Sequence, residues 1–273
     1  MQDSPVGWIG GKKLLRSEIL KRFPVHTAYV EVFAGAAWLL FAKERSASKA
    51  EIVNDLNGDL ANFYRCVREQ PLELIEKLKW RLISQADFAR ERELSCGSEI
   101  ERAARFFWRL KVAFGSRGRR ASFGYHLTDL PRFRPERVWE VITRAHDRLK
   151  HVTVFSEDFA RLIERLDRPE TFFYCDPPYH GCEGCYEATF VAQDHERLAQ
   201  SLKNCTGKFL LSYNDHEAIR ELYSWATIEP VQTRYSVSRT PSARKQPRME
   251  LLIRNYEIAV DTGRSGGRGR RKN

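Results

Sequence analysis

Thr171-Phe172-Phe173-Tyr174-Cys175-Asp176-Pro177-Pro178-Tyr179 is the stretch whose reading decides the fold. Its first residues are aromatic and β-branched, the composition of a buried strand. They run into an acid and two prolines. Neither proline can donate to a sheet ladder, so the strand stops at Asp176. A carboxylate, stiff backbone carbonyls and the Tyr179 ring are thereby displayed together at a strand's carboxyl end, the edge where open α/β sheets bind ligands. A plain strand-ending turn would use the same residues, so the flanking sequence has to decide.

Upstream, the spacing predicts a helix over 136–149, a strand over 152–155 ending near Asp158 and Phe159, and a helix over 160–166. Downstream, a loop over 180–190 carries Cys182 and Cys185, and Asp194 is the expected cap of a helix reaching 202. A strand over 208–213, a helix over 215–223 and a strand from 226 follow. A basic stretch with Arg234, Arg239, Arg244, Lys245 and Arg248 then leads to a strand over 250–256, expected to close the sheet.

The beginning of the chain has the same alternation. Gly7-Trp8-Ile9-Gly10-Gly11-Lys12 precedes an amphipathic helix marked by Leu14, Leu15, Ile19 and Leu20. A strand over 28–33 runs into Ala34-Gly35-Ala36-Ala37 and a helix over 38–43. Strand, small-residue turn and helix bring backbone close to a nucleotide-like ligand, although one glycine is a poor pyrophosphate cradle. The next strand, 51–54, ends at Asp55. That acid lies about 20 residues beyond Gly35, the offset at which a carboxylate reaches ribose hydroxyls. Asp55, Asn57 and Asp59 also imitate the start of a calcium loop, but Leu60 replaces the needed glycine and Cys66 the needed glutamate.

Between these halves the pattern is helical over 71–114, then basic and aromatic. Arg117, Arg119, Arg120, Arg132 and Arg134 stand among Phe123, Tyr125 and Phe133, with flexible glycines. Such interleaving suits phosphate contact with base stacking. The expected organisation is a catalytic domain over 1–68 and 136–260, a small insert over 69–135, and a basic disordered tail over 261–273.

In 273 residues, 46 Lys and Arg outnumber 36 Asp and Glu, a net charge of +10 that points to a polyanionic partner. No apolar run reaches the roughly 18 residues of a membrane span, and no signal peptide opens the chain, so a cytoplasmic protein with reduced thiols is expected. Cys182 and Cys185 are half a zinc site without a second pair, so no metal is expected.

Taken in order, Trp8-Ile9-Gly10-Gly11-Lys12, Glu31-Val32-Phe33-Ala34-Gly35, Asn54-Asp55-Leu56-Asn57-Gly58-Asp59-Leu60 and Asp176-Pro177-Pro178-Tyr179 resemble the Dam-like, α-group DNA adenine-N6 methyltransferases. The likeness continues through Phe190, Asp194-His195, Ser212-Tyr213-Asn214 and Glu250-Leu251-Leu252-Ile253. It covers about residues 5 to 256, except the insert, which matches in position and general character alone. Ala37 departs from the pattern, standing where the family's turn often has a second glycine.

The resemblance implies a Rossmann-like α/β sheet that uses S-adenosylmethionine, with a mostly helical target-recognition insert. Trp8, Lys12, Glu31, Phe33, Gly35 and Asp55 would line the donor site, together with Asp176. Asp158 and Phe159 would lie beside the donor's adenine. Asp176, Pro177, Pro178 and Tyr179 would carry the chemistry on a base flipped from double-stranded DNA. Arg117, Arg119, Arg120, Phe123, Tyr125, Arg132, Arg244 and Lys245 are the expected DNA contacts. Three alternatives stay open on sequence: cytosine-N4 methylation by the same kind of loop, a non-catalytic nucleic-acid-binding protein on this fold, and a methyltransferase acting on proteins or small molecules.

Overall fold

Side chains alternate along the strand Thr171–Cys175, and this alternation builds the core. Phe172 and Tyr174 enter one buried apolar cluster, Phe173 and Cys175 another, on opposite faces of one sheet. Burying each large apolar side chain contributes about 1.5–3 kcal/mol. The computed structural model describes residues 1–8, 12–94, 96–114, 121–125, 127–181, 190–233 and 248–258.

The chain begins with α1 (Arg16–Leu20), β1 (Ala28–Glu31), α2 (Trp38–Ala42), β2 (Ala50–Asn54) and α3 (Gly58–Glu69). Three helices come next: α4 (Pro71–Lys79), α5 (Gln85–Glu93) and α6 (Glu99–Val112). After a 3-10 turn at Pro135–Arg137 come α7 (Val138–Leu149), β3 (Val152–Phe155), α8 (Phe159–Leu166) and β4 (Thr171–Cys175). The described chain ends with α9 (Ala192–Asn204), β5 (Lys208–Asn214), α10 (Glu217–Leu222), β6 (Thr227–Thr233) and β7 (Arg248–Arg254).

The seven strands lie in the order β3-β2-β1-β4-β5-β7-β6. β1 to β5 are mutually parallel, and β7 runs antiparallel to both β5 and β6. The strand order reverses between β1 and β4, a topological switch point. The last strand therefore does not close the sheet at its edge. It slides between β5 and β6 and leaves β6 outermost.

Several boundaries differ from the sequence reading for local reasons. β1 stops at Glu31, before Val32 and Phe33. α6 starts at Glu99, inside the helical stretch, because Ser98 and Glu101 form a capping box. Asp194 is not the cap of α9; it sits in the first turn and accepts the Val191 N–H at 2.9 Å. Phe133 is no stacking platform: it is 2% exposed and anchors its loop in the core.

Apolar residues of α4, α5 and α6 join those of α2, α3 and α7 on one face of the sheet, while α8, α9 and α10 cover the other. Phe63 of α3 stacks on Phe107 of α6 at 5.6 Å. A buried ion network ties the first layer to the sheet. Arg148 spans both Glu51 oxygens at 2.5 and 2.8 Å and donates to the Leu40 carbonyl, and Lys43 reaches Glu51 at 2.5 Å. Burial opposes ionisation of Glu51, but the bonds from Arg148 and Lys43 outweigh it and hold the carboxyl below its usual range.

Candidate active site

The turn after β1 is shaped by two left-handed residues, Gly35 at φ 46° and Ala37 at φ 49°. Ala37 thus adopts the backbone that a second glycine would favour, at a strain of about 1–2 kcal/mol. Gly35 must lack a side chain, since a Cβ there would lie 2.7 Å from Cδ1 of Trp8, whose indole covers the turn. Gly35 N–H donates to Asp55 Oδ2 at 2.8 Å, its carbonyl accepts the Tyr64 hydroxyl at 2.7 Å, and Asp55 Oδ1 takes the Asn57 N–H at 2.9 Å. Burial raises the Asp55 carboxyl, against the two backbone bonds. Asn54 laces the strand ends together, donating to the carbonyls of Val32 and Glu157 and accepting the Glu157 N–H.

Glu31 turns its carboxylate into the structure, where it accepts Tyr29 Oη and the Leu40 N–H, each at 3.0 Å. Burial pushes its carboxyl up to about 8, with those two bonds opposing and the nearby Asp176 charge adding. Phe33, Phe159 and Phe190 form an aromatic wall, with ring centroids 5.5, 5.9 and 6.0 Å apart. Asp158, beside that wall, caps α8 through Oδ1 and pairs with Arg197 at 3.0 Å.

Asp176 leaves β4 at the switch point, next to the β1 turn. Lys12 Nζ lies 2.6 Å from its Oδ1 and 2.8 Å from Oδ2, and Ser212 Oγ donates to Oδ1 at 2.9 Å. Burial raises the Asp176 carboxyl; the Lys12 charge and hydrogen bond and the Ser212 bond oppose this, while Glu250 adds to it. Pro177 and Pro178 are buried, so the loop backbone is fixed by packing as well as by ring closure. Tyr179 donates its hydroxyl to Glu250 Oε2 at 2.8 Å and lies 6.0 Å from Tyr213, which in turn contacts His195.

The structure thus brings Lys12, Glu31, Gly35, Asp55, Asp176 and Tyr179 to one edge of the sheet, with Trp8 and the three phenylalanines around them. Asn54, Tyr64, Ser212 and Glu250 complete the set. Sequence reasoning assigned none of these four a task, although the family pattern contained Asn54, Ser212 and Glu250.

A basic face forms around Lys111 of α6. Ala113 pairs antiparallel with Phe123, Phe114 N–H donates to the Ser122 carbonyl and Gly124 N–H to that of Val112, on either side of the sequence that carries Arg117, Arg119 and Arg120. Those three arginines lie outside the described residues, as do Arg244, Lys245, Cys182, Cys185 and the tail 261–273. Tyr125 is 75% exposed, Arg132 is exposed, and Phe123 is half-buried against Phe88. Lys111 of α6 is pushed down to about 8 by burial and by the charges of Arg132, Arg137 and Lys13, so positive charge accumulates here. Among the described residues no cluster of three or more His, Cys, Asp or Glu could hold a metal, and no helix is long and apolar enough to cross a membrane.

Residues 8–237 match the family described as D12 class N6 adenine-specific DNA methyltransferase. The chain is 27% identical over 274 residues to a type II methyltransferase of Lactococcus lactis subsp. cremoris, covering 91% of this chain and 94% of that protein. It is 28% identical over 273 residues to a DNA adenine methylase of Haemophilus influenzae, covering 90% and 91%. A DNA N-6-adenine-methyltransferase of Escherichia phage P1 is 27% identical over 254 residues, covering 85% of this chain and 32% of that protein.

Proposed function

The chain belongs to the D12 class of N6 adenine-specific DNA methyltransferases, and from this premise we propose that it methylates N6 of an adenine flipped out of double-stranded DNA at a specific sequence, with S-adenosylmethionine as donor. One observation carries the reading: the Gly35 turn and Asp176 follow the same ends of the paired parallel strands β1 and β4.

The residues fit this donor. The absence of a side chain at Gly35 lets the Trp8 indole pack directly on the turn, and each Asp55 oxygen, already accepting one backbone N–H, retains acceptor capacity for ribose hydroxyls. The aromatic wall of Phe33, Phe159 and Phe190 offers its adenine a face. When bound, the sulfonium supplies an electrophilic methyl group.

The protein's own part is to hold the acceptor. An adenine N6 amine is a weak nucleophile because its lone pair is delocalised into the ring. Asp176 and the Pro177 carbonyl each accept one N6 hydrogen, which favours a pyramidal nitrogen with its lone pair facing the donor. Positioning and fixed dipoles then supply much of the acceleration. Tyr179 stacks on the extruded base. Arg117, Arg119, Arg120, Tyr125, Arg132, Arg244 and Lys245 contact the duplex, Phe123 supports that surface, and the insert over 69–135 reads the target. We place the activity in a bacterial cytoplasm, with no metal required. Methylation-sensitive sequencing of DNA from cells expressing the protein tests this: a methylated adenine in one recurring sequence is expected, and unmodified DNA would contradict it.

A further inference from the structure

Glu250 owes its place to the insertion of β7. It pairs with Asn214 at the end of β5 and with Val231 of β6. Because β7 is antiparallel, its beginning reaches the edge where the parallel strands finish. There Glu250 is 2% exposed, and its Oε2 accepts the Tyr179 hydroxyl at 2.8 Å. The same oxygen lies 3.9 Å from Lys12 Nζ, which itself sits 4.8 Å from the Tyr179 ring centroid.

Burying a carboxylate is costly unless it is hydrogen-bonded and paired. Glu250 meets that requirement through Tyr179 and, at longer range, Lys12. Lys12 meanwhile spans both oxygens of Asp176. An ammonium in that position competes with any exocyclic amine that must donate to the same carboxylate. A small side-chain rotation brings Nζ from 3.9 Å into hydrogen-bond range of Glu250 Oε2. The cation then stays paired inside the site while Asp176 is freed.

We propose that Glu250 is a positioning residue for methyl transfer: it fixes the Tyr179 ring through its hydroxyl and receives Lys12 Nζ when the target amine takes the Asp176 carboxylate. This rests on the reading of Asp176 as the holder of the target amine.

The test compares wild-type protein, Glu250→Gln and Tyr179→Phe on a target duplex, measuring single-turnover methyl transfer, donor affinity and the pH–rate profile. Glutamine still accepts the Tyr179 hydroxyl but carries no charge for Lys12. Misplacement of reacting groups costs up to about 100-fold in rate, so Glu250→Gln is expected to be about 10–100-fold slower with donor affinity unchanged. Its acid limb moves to lower pH. Burial raises the Asp176 carboxyl, Lys12 and Ser212 oppose this, and removing the Glu250 charge takes away one contribution to the rise, while Glu31 is unaltered. Tyr179→Phe keeps both carboxylates and leaves the acid limb in place.

A Glu250→Gln variant with the wild-type rate and pH profile overturns the proposal. So does a slower variant that loses donor affinity in proportion and keeps its pH profile, since that marks a structural role alone. A wild-type protein without methyl transfer overturns the underlying reading and this inference with it.

Discussion

Lys12 Nζ bridges the two oxygens of Asp176 across 164 positions of sequence, with the lysine 4% and the aspartate 19% exposed. The pair joins the stretch before α1 to the end of β4. Lys12 opposes the burial that raises the Asp176 carboxyl. Lys12→Met should therefore let the Asp176 carboxyl rise. As the carboxylate is the form that accepts the amine, the acid limb of the rate should move to higher pH, opposite to the shift expected for Glu250→Gln. An unmoved acid limb in Lys12→Met would separate Lys12 from the ionisation of Asp176.

Asp55→Ala should weaken the donor by about 1.5–3 kcal/mol, the range for a hydrogen bond to a charged group. Calorimetry with S-adenosylmethionine measures this directly. DNA affinity without donor should hardly change, because Asp55 lies at the β1 turn and not on the basic face. Unchanged donor affinity would rule out the ribose role.

Arg148→Met should cost about 3–5 kcal/mol near neutral pH, since it removes one partner of a buried charge. Glu51 is held below its usual range in the folded state. Its contribution is therefore complete above the unfolded carboxyl value and disappears as pH falls through the folded one. The stability gap between wild type and variant, read from urea unfolding, should narrow on acidification. A gap independent of pH would mean that Glu51 does not depend on Arg148.

Lys111 should report DNA contact. With its ammonium pushed down to about 8 in the free protein, a neighbouring phosphate would raise it, so affinity for duplex DNA should fall as pH rises through that value. Lys111→Gln should abolish the pH dependence and flatten the salt dependence by about 0.9 log units per log salt. The same scan over Arg117, Arg119 and Arg120 separates phosphate contacts, which change all sequences alike, from base contacts, which relax the target by about 1–3 kcal/mol. Unaltered affinity and salt slope for Lys111→Gln would remove this face from the interface.

Much of the fold was legible because local chemistry announces it. Two prolines after Asp176 end β4, and strand, small residues and helix mark the Gly35 turn. The acid at the next strand's end follows from spacing. What escaped depends on register and packing. Glu250 reaches the site because β7 is inserted antiparallel beside β5, and nothing along 250–256 distinguishes that from a place at the edge. Asn54 and Ser212 become informative once three strand ends converge. Phe133 reads like Tyr125 in sequence, yet the first is 2% exposed and the second 75%. The lowered Lys111 arises from its burial, to which Arg132, Arg137 and Lys13 add by meeting it in space.

The central claim is that Asp176 holds an adenine amine for methyl transfer. It is tested most directly by incubating wild-type protein and Asp176→Ala with unmethylated duplex DNA and methyl-labelled S-adenosylmethionine, then separating the digested nucleosides. Label in N6-methyldeoxyadenosine is expected for the wild type and none for the variant, with donor binding retained by both. Label in N4-methyldeoxycytidine, or a variant that methylates at the wild-type rate, would contradict it.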